Sequence, residues 1–275
     1  MNKLTISKRK AVVAALVEGN SINSTVRLTG VAKTTILRLL ADLGCGCAAY
    51  HHANVRGLKP ARVECDEVWS FVYAKAKNVP KAKVPVDGAG DCWTWTAIDP
   101  VTKLVLTFQV GLRTENDAAV FMLDLADRIT NVTQLTTDGL ASYPPAVYEA
   151  FGQYVNYGQL IKVFRATRPD HARYSPAECV GCRKESVIGA PDRDTMSTSI
   201  VERSNLTIRM STRRFTRLTN GHSKKIESHG HAFALFTMHY NWCRKHASLG
   251  GRTPAMAAGL ADHVWSMDEL VALAD

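Results

Sequence analysis

What most constrains this chain is the order of its hydrophobic periods between residues 63 and 164. Strand character begins at Val63, and Cys65 to Val72 is an apolar, aromatic and β-branched run with an acidic pair, Asp66-Glu67, at its start. Trp93-Thr-Trp-Thr-Ala97 alternates with period two and turns at Asp99-Pro100. It returns with Leu104, Leu106, Phe108 and Val110 on one face, which predicts a hairpin. Thr114 to Arg128 then carries a helical stripe of Ala118, Phe121, Met122 and Leu125. Gln134 to Asp138 is a short strand closing on an Asp-Gly break. A helix over Tyr143 to Phe151, opened by Pro144 and Pro145, and a strand over Gln159 to Phe164 follow. Three strands, helix, strand, helix, strand predicts an α/β fold, a mixed sheet flanked by helices. A length of 275 residues allows one large domain or a core with a small appendage.

The flanks differ in character. Residues 1–44 read as a small all-helical unit with helices at Lys8 to Val17, Ser21 to Leu28 and Ala32 to Leu43. Short helix, Gly-containing turn and second helix is the helix-turn-helix layout, which would aim Lys33, Thr34, Thr35 and Arg38 at a DNA major groove. Residues 45–60 read as a linker; Cys45, Cys47, His51 and His52 are spaced too tightly for a structural zinc site. The core is then expected over 61–265. Ala74 to Asp91, with Lys75, Lys77, Lys81 and Lys83, reads as a basic loop, either a solvated charge run or a contact to a DNA backbone. Residues 165–196 read as a polar, irregular insertion. Its Cys179-Val-Gly-Cys182 would need two more ligands to hold zinc, and only His171 lies within the segment. A short acidic helix over 266–275 closes the chain.

Composition narrows the function classes. Lys and Arg total 34 against 25 Asp and Glu, a net +9, with a sequence pI of 9.3. Such an excess favours a polyanionic partner through counterion release. The longest wholly apolar run, Ala11 to Val17, is seven residues, too short to span a membrane. Seven cysteines, an odd number, argue against a disulfide framework and for a reducing cytosol.

Chemistry concentrates in Ser197 to Arg217, STSIVERSNLTIRMSTRRFTR. Ser199 and Glu202 have capping-box spacing. On a helix starting near residue 200, Glu202, Asn205, Arg209 and Arg213 share one face. Upstream, Asp66 and Asp138 each sit where a strand pattern meets a turn or loop. Three carboxylates beside a basic helix suit metal-dependent phosphoryl chemistry. Two hard cations held by a few carboxylates neutralise a scissile phosphate and activate the attacking oxygen. Without a metal such carboxylates repel one another and raise at least one pKa. Glu67 would point to the opposite side of its strand from Asp66 and is read as a non-ligand.

The segments CDEVWSF (65–71), WTWTAIDPVTKL (93–104), LTTDGLASY (135–143), STSIVERSNLTIRMSTRRFTRLTN (197–220) and YNWCRKHASLGGRTPAMAAG (240–259) together resemble a bacterial insertion-sequence transposase of the DDE class, similar to the insertion-sequence-one-type family. The resemblance implies an RNase H-like core using two divalent ions, Mg²⁺ or Mn²⁺, with Asp66, Asp138 and Glu202 as the three carboxylates. It implies DNA cleavage and strand transfer by successive in-line attacks, with Arg203, Asn205, Arg209 and Arg213 holding DNA ends. The amino-terminal helices would read terminal inverted repeats. Partners would be double-stranded element ends and target DNA, bound by a homodimer or higher oligomer in the bacterial cytoplasm at the nucleoid. Two other readings share these features: a structure-selective nuclease on the same core, and a non-catalytic helix-turn-helix regulator. A tyrosine recombinase is set aside, because no His-x-x-Arg occurs in the chain.

Overall fold

The computed structural model describes residues 4–81, 87–165 and 178–275. Its centre is a six-stranded sheet built from β1 (Arg62–Val72), β2 (Gly90–Ile98), β3 (Val105–Gly111), β4 (Thr133–Thr137), β5 (Val155–Arg165) and β6 (Glu178–Ile188). The spatial order is β3-β2-β1-β4-β5-β6. β1, β2 and β3 pair antiparallel, as the hairpin pattern requires. β4 pairs parallel to both β1 and β5. Every residue of β4 is buried, as expected of a central parallel strand covered on both faces. This mixed order, with an antiparallel meander continued by parallel strands, is that of an RNase H-like sheet.

Helices cover the sheet: α1 (Ile6–Val17), α2 (Ile22–Thr29), α3 (Lys33–Asn54), α4 (Glu115–Ala126), α5 (Tyr143–Phe151), α6 (Ser199–Ser211), α7 (Ile226–Met238), α8 (Pro254–Ala257) and α9 (Met267–Ala272). Thr5, Ser21, Thr114 and Ser266 each accept a backbone N–H bond at a helix start, and Ser266 with Glu269 completes a capping box. α7 runs on as a π-helical turn, His239–Cys243, before the chain turns back. No described helix is long and apolar enough to cross a membrane.

Two boundaries differ from the sequence reading. The stretch read as a linker from residue 45 is helical to Asn54, the second half of α3. Cys47 and His51 are buried, and His51 Nε2 bonds the Val105 carbonyl at 3.1 Å. Gly44 and Gly46 there are contact points rather than breakers. A Cβ on Gly44 would lie 2.3 Å from His231 Cβ, and one on Gly46 1.8 Å from the Leu273 carbonyl oxygen. The glycines let α7 and the carboxy-terminal turn approach α3 closely, and a local reading of the Gly-Cys pattern misses that gain. The second difference is in the expected insertion, where residues 178–188 form β6 and pair antiparallel with β5. Cys179 and Cys182 are exposed on that edge strand; His171 lies outside the described residues, as does Lys83 of the basic loop. Residues from α1, α3, α4, α5, α7 and β1 to β5 contribute to one continuous hydrophobic core.

Candidate metal centre and active site

Alternation along β1 decides which side chains meet. Glu64, Asp66 and Val68 face α6, while Cys65 and Glu67 face the α5 side. Glu64 is 4% exposed, and its Oε2 accepts the N–H groups of Ile200 at 2.8 Å and Val201 at 3.0 Å. A carboxylate from the sheet therefore closes the amino end of α6, where it meets both unpaired donors and the positive end of the helix dipole. The expected Ser199–Glu202 capping box does not form. Thr198 is the N-cap but its side chain accepts no helix N–H, and Glu202 Oε1 instead accepts from Thr198 Oγ1 at 2.6 Å and Lys162 Nζ at 2.5 Å. Glu202 is thereby left beside the cleft, not folded back on its own helix.

Asp66, Asp138 and Glu202 line one open cleft of about 600 Å³ with Arg113, Lys162 and the Gly139–Ala141 turn. They arrive from the middle of β1, the loop after β4 and the first turn of α6. Asp66 Oδ1 accepts the Glu67 N–H at 2.9 Å, and its Oδ2 accepts Asn205 Nδ2 at 2.6 Å. Asp138 Oδ1 accepts the Leu140 N–H at 2.9 Å, while Gln159 Nε2 holds the Asp138 carbonyl at 3.0 Å. Burial, reinforced by the charges of Asp138 and Glu202, pushes the Asp66 carboxyl up to about 6. Burial is the larger cause, and the mutual repulsion expected of clustered carboxylates without a cation adds to it.

Glu67 adds a member to the acidic group that its strand face did not suggest. Although it leaves β1 on the face opposite Asp66, oxygen atoms of Asp66, Glu67 and Asp138 lie within 4.8 Å of one another, a group that could hold a metal ion. β4 pairs with β1 only as far as Glu64, so beyond it the Asp138 loop reaches across the strand edge to both faces. The Glu67 side chain is 1% exposed; Arg113 Nη2 bridges it at 3.1 Å and Asp138 at 3.7 Å. Its Oε1 is buried beside the equally buried Tyr143 hydroxyl, which lies close enough to act on its charge but outside full hydrogen-bond geometry. Burial and the nearby carboxylates push Glu67 up to about 7. A buried carboxylate oxygen without a full hydrogen bond, inside an acidic group, is what a cation site presents, so these residues fit a hard divalent ion.

The residues expected to hold DNA divide. Lys33, Thr34 and Arg38 are exposed on α3 and Thr35 is half-buried. Arg203 is exposed on α6. Asn205 binds Asp66, and Arg209 is half-buried with Nη1 on the Phe215 carbonyl at 2.8 Å, closing the turn after α6. Arg213 lies beyond the end of α6, in the short 3₁₀ turn Arg213–Phe215, because the helix stops at Ser211. Glu64, Arg113 and Lys162 were not singled out from the sequence. Glu64 had a signal, being two residues before Asp66 on the same strand face; the other two had none.

No family model and no curated protein matches the chain. Among solved structures, it is similar to a piggyBac transposase synaptic complex with hairpin DNA, with 9% identity, a TM-score of 0.43, and coverage of 98% of this chain and 69% of that one. It is also similar to the Mos1 strand transfer complex, with 11% identity, a TM-score of 0.25, and coverage of 87% and 77%. At such identities and scores neither residues nor activity transfer.

Proposed function

We propose that the chain is a DNA transposase of the DDE class that binds the terminal repeats of an insertion sequence and carries out metal-dependent cleavage and strand transfer. The observation that supports this most is the convergence of Asp66, Asp138 and Glu202, far apart in sequence, on one cleft. In this reading they would hold two Mg²⁺ or Mn²⁺ ions, with Glu67 beside Asp66 and Asp138. Bound divalent ions would supply charge neutralisation on the scissile phosphate and a more acidic attacking water or 3′ hydroxyl. The chain's own residues do the rest. Backbone amides fix Asp66 and Asp138, Glu64 anchors α6 so that Glu202 faces them, and Lys162 and Arg113 stand where phosphate oxygens would be held. The exposed Lys33, Thr34 and Arg38 contact the element ends, and at least a dimer brings two ends together.

The test is cleavage of labelled DNA carrying the element's ends, with and without Mg²⁺, by the wild type and Asp138→Asn. Mg²⁺-dependent 3′-end cutting and joining, reduced to background in the variant, is expected. Cutting that survives the substitution would overturn the carboxylate assignment. Cutting without joining would leave a nuclease, and tight binding without cutting a regulator.

A further inference from the structure

A second cavity lies away from the carboxylates, where α2 and the start of α3 meet the chain between α6 and α7. It encloses about 550 Å³, and Arg27, Lys33, Arg213, Arg214, Lys224 and Lys225 line it with no carboxylate. None of these six forms an ion pair with a carboxylate among the described residues.

Arg214 is the telling member. It is 9% exposed, and its Nη1 donates to Ser223 Oγ at 3.0 Å. Ser223 Oγ meets His229 Nδ1 at 2.9 Å, and His229 Nε2 meets Ser70 Oγ at 3.0 Å. This relay positions the guanidinium and brings it no negative charge. His229 is itself held neutral, pushed down to about 3 by burial and by the Arg214 charge. Burial lowers Arg214 only to about 10, so it stays charged at neutral pH. A buried charge is stable only when paired, and here the protein offers other cations. Lys224 is held below the usual lysine range by burial and by the Lys33 charge across the cavity. Cations gathered around an open cavity without a counter-charge describe an anion site. The track continues, since Arg213, Thr219 and Asn220 also line an adjoining recess with Lys75 and Arg217.

We propose that this cavity seats the phosphate backbone of DNA, gripped at once by the amino-terminal helices and by the core. The site rests on the DNA-binding part of the proposed function and adds to it a place where both parts of the chain hold the same stretch of strand. It also gives Arg214 a role that its fold contacts do not explain.

The test is the salt dependence of binding to duplex DNA, by fluorescence anisotropy, for the wild type, Lys33→Ala/Lys224→Ala and Lys33→Arg/Lys224→Arg. Each lost phosphate contact lowers the slope of log K against log salt by about 0.9, so the alanine pair should lose about two units and the arginine pair less than half a unit. The loss should be equal on element ends and on unrelated DNA. An alanine-pair slope within half a unit of wild type, or a loss confined to one sequence, overturns the proposal. Arg214→Met supplies a second readout. Removing an unpaired buried charge should leave the free protein as stable or more so, while DNA affinity falls at least tenfold; lost stability with unchanged affinity would make Arg214 purely structural and overturn the proposal. If inorganic phosphate raises Tm in an Arg214-dependent way while the alanine pair leaves the DNA slope unchanged, the site takes a free anion instead. Wild-type protein that cuts DNA with Mg²⁺ but shows no slope change in the alanine pair loses the cavity and keeps the transposase reading. Slope loss without cutting does the reverse.

Discussion

Asp66→Asn should stabilise the metal-free protein. Folding raises the Asp66 carboxyl from 3.8 to about 6. At about 1.4 kcal/mol per pKa unit, holding this group ionised costs up to ~3 kcal/mol. Burial is the larger part of this cost and repulsion from Asp138 and Glu202 the rest; the asparagine amide is itself polar and buried, so the gain expected on removing the charge is about 2 kcal/mol. The substitution is sterically mild. The Glu67 N–H keeps its acceptor, and Asn205 can turn its amide, because its Oδ1 is buried without a partner and can accept the new donor. The pH dependence fixes the cause. Because the folded pKa is raised, the stability of the protonated carboxyl is fully present below about pH 4 and is lost as pH rises through about 6. The variant should therefore match the wild type near pH 4 and exceed it near pH 8 in EDTA, by roughly 4–8 °C in Tm for a chain of this size. Adding Mg²⁺ should raise the Tm of the wild type and leave the variant nearly unmoved, since only an ion that binds the folded state stabilises it. A variant less stable than wild type near pH 8 in EDTA, or a difference that does not change with pH, would refute the reasoning.

Glu64→Ala removes the acceptor of two helix-terminal N–H groups and should cost about 2 kcal/mol, read as a lower urea midpoint. Because α6 carries Glu202, Mn²⁺ affinity should fall with it, and an unchanged midpoint would sink the capping role. Gly44→Ala places a methyl against the His231 backbone and should destabilise by about 1–3 kcal/mol. Gly230→Ala, inside α7 with nothing within 4 Å of the new methyl, should stabilise by about 0.5–1 kcal/mol. Equal Tm shifts for the two would mean that α3 and α7 are not packed as described.

Much of the sheet was legible in the sequence because its signals are local. The alternation of Trp93 to Ala97, the Asp99-Pro100 turn and the stripe of α4 each follow from residues a few positions apart, and they placed β2, β3 and α4 within a few residues of where they lie. Asp66 and Asp138 were recognisable as strand-edge carboxylates, and the charge excess pointed to a polyanion. The sequence could not say which neighbours each side chain would meet, because those contacts join residues from 40 to more than a hundred positions apart. Glu64 caps a helix 136 positions away, which left Glu202 out of its own capping box and paired with Lys162. Glu67, on the face opposite Asp66 by strand alternation, joins the acidic group only because the Asp138 loop after β4 comes within reach of both side chains. Residues 45–54, rich in Gly and Cys, read as a linker until packing against α7 made small residues an advantage. Local periodicity and turn chemistry thus determined most of the elements, and charge set the expectation of a polyanionic partner. Tertiary packing alone decided which carboxylates meet, the burial of Arg214 and the surfaces that touch, because burial and charge pairing are properties of the assembled fold.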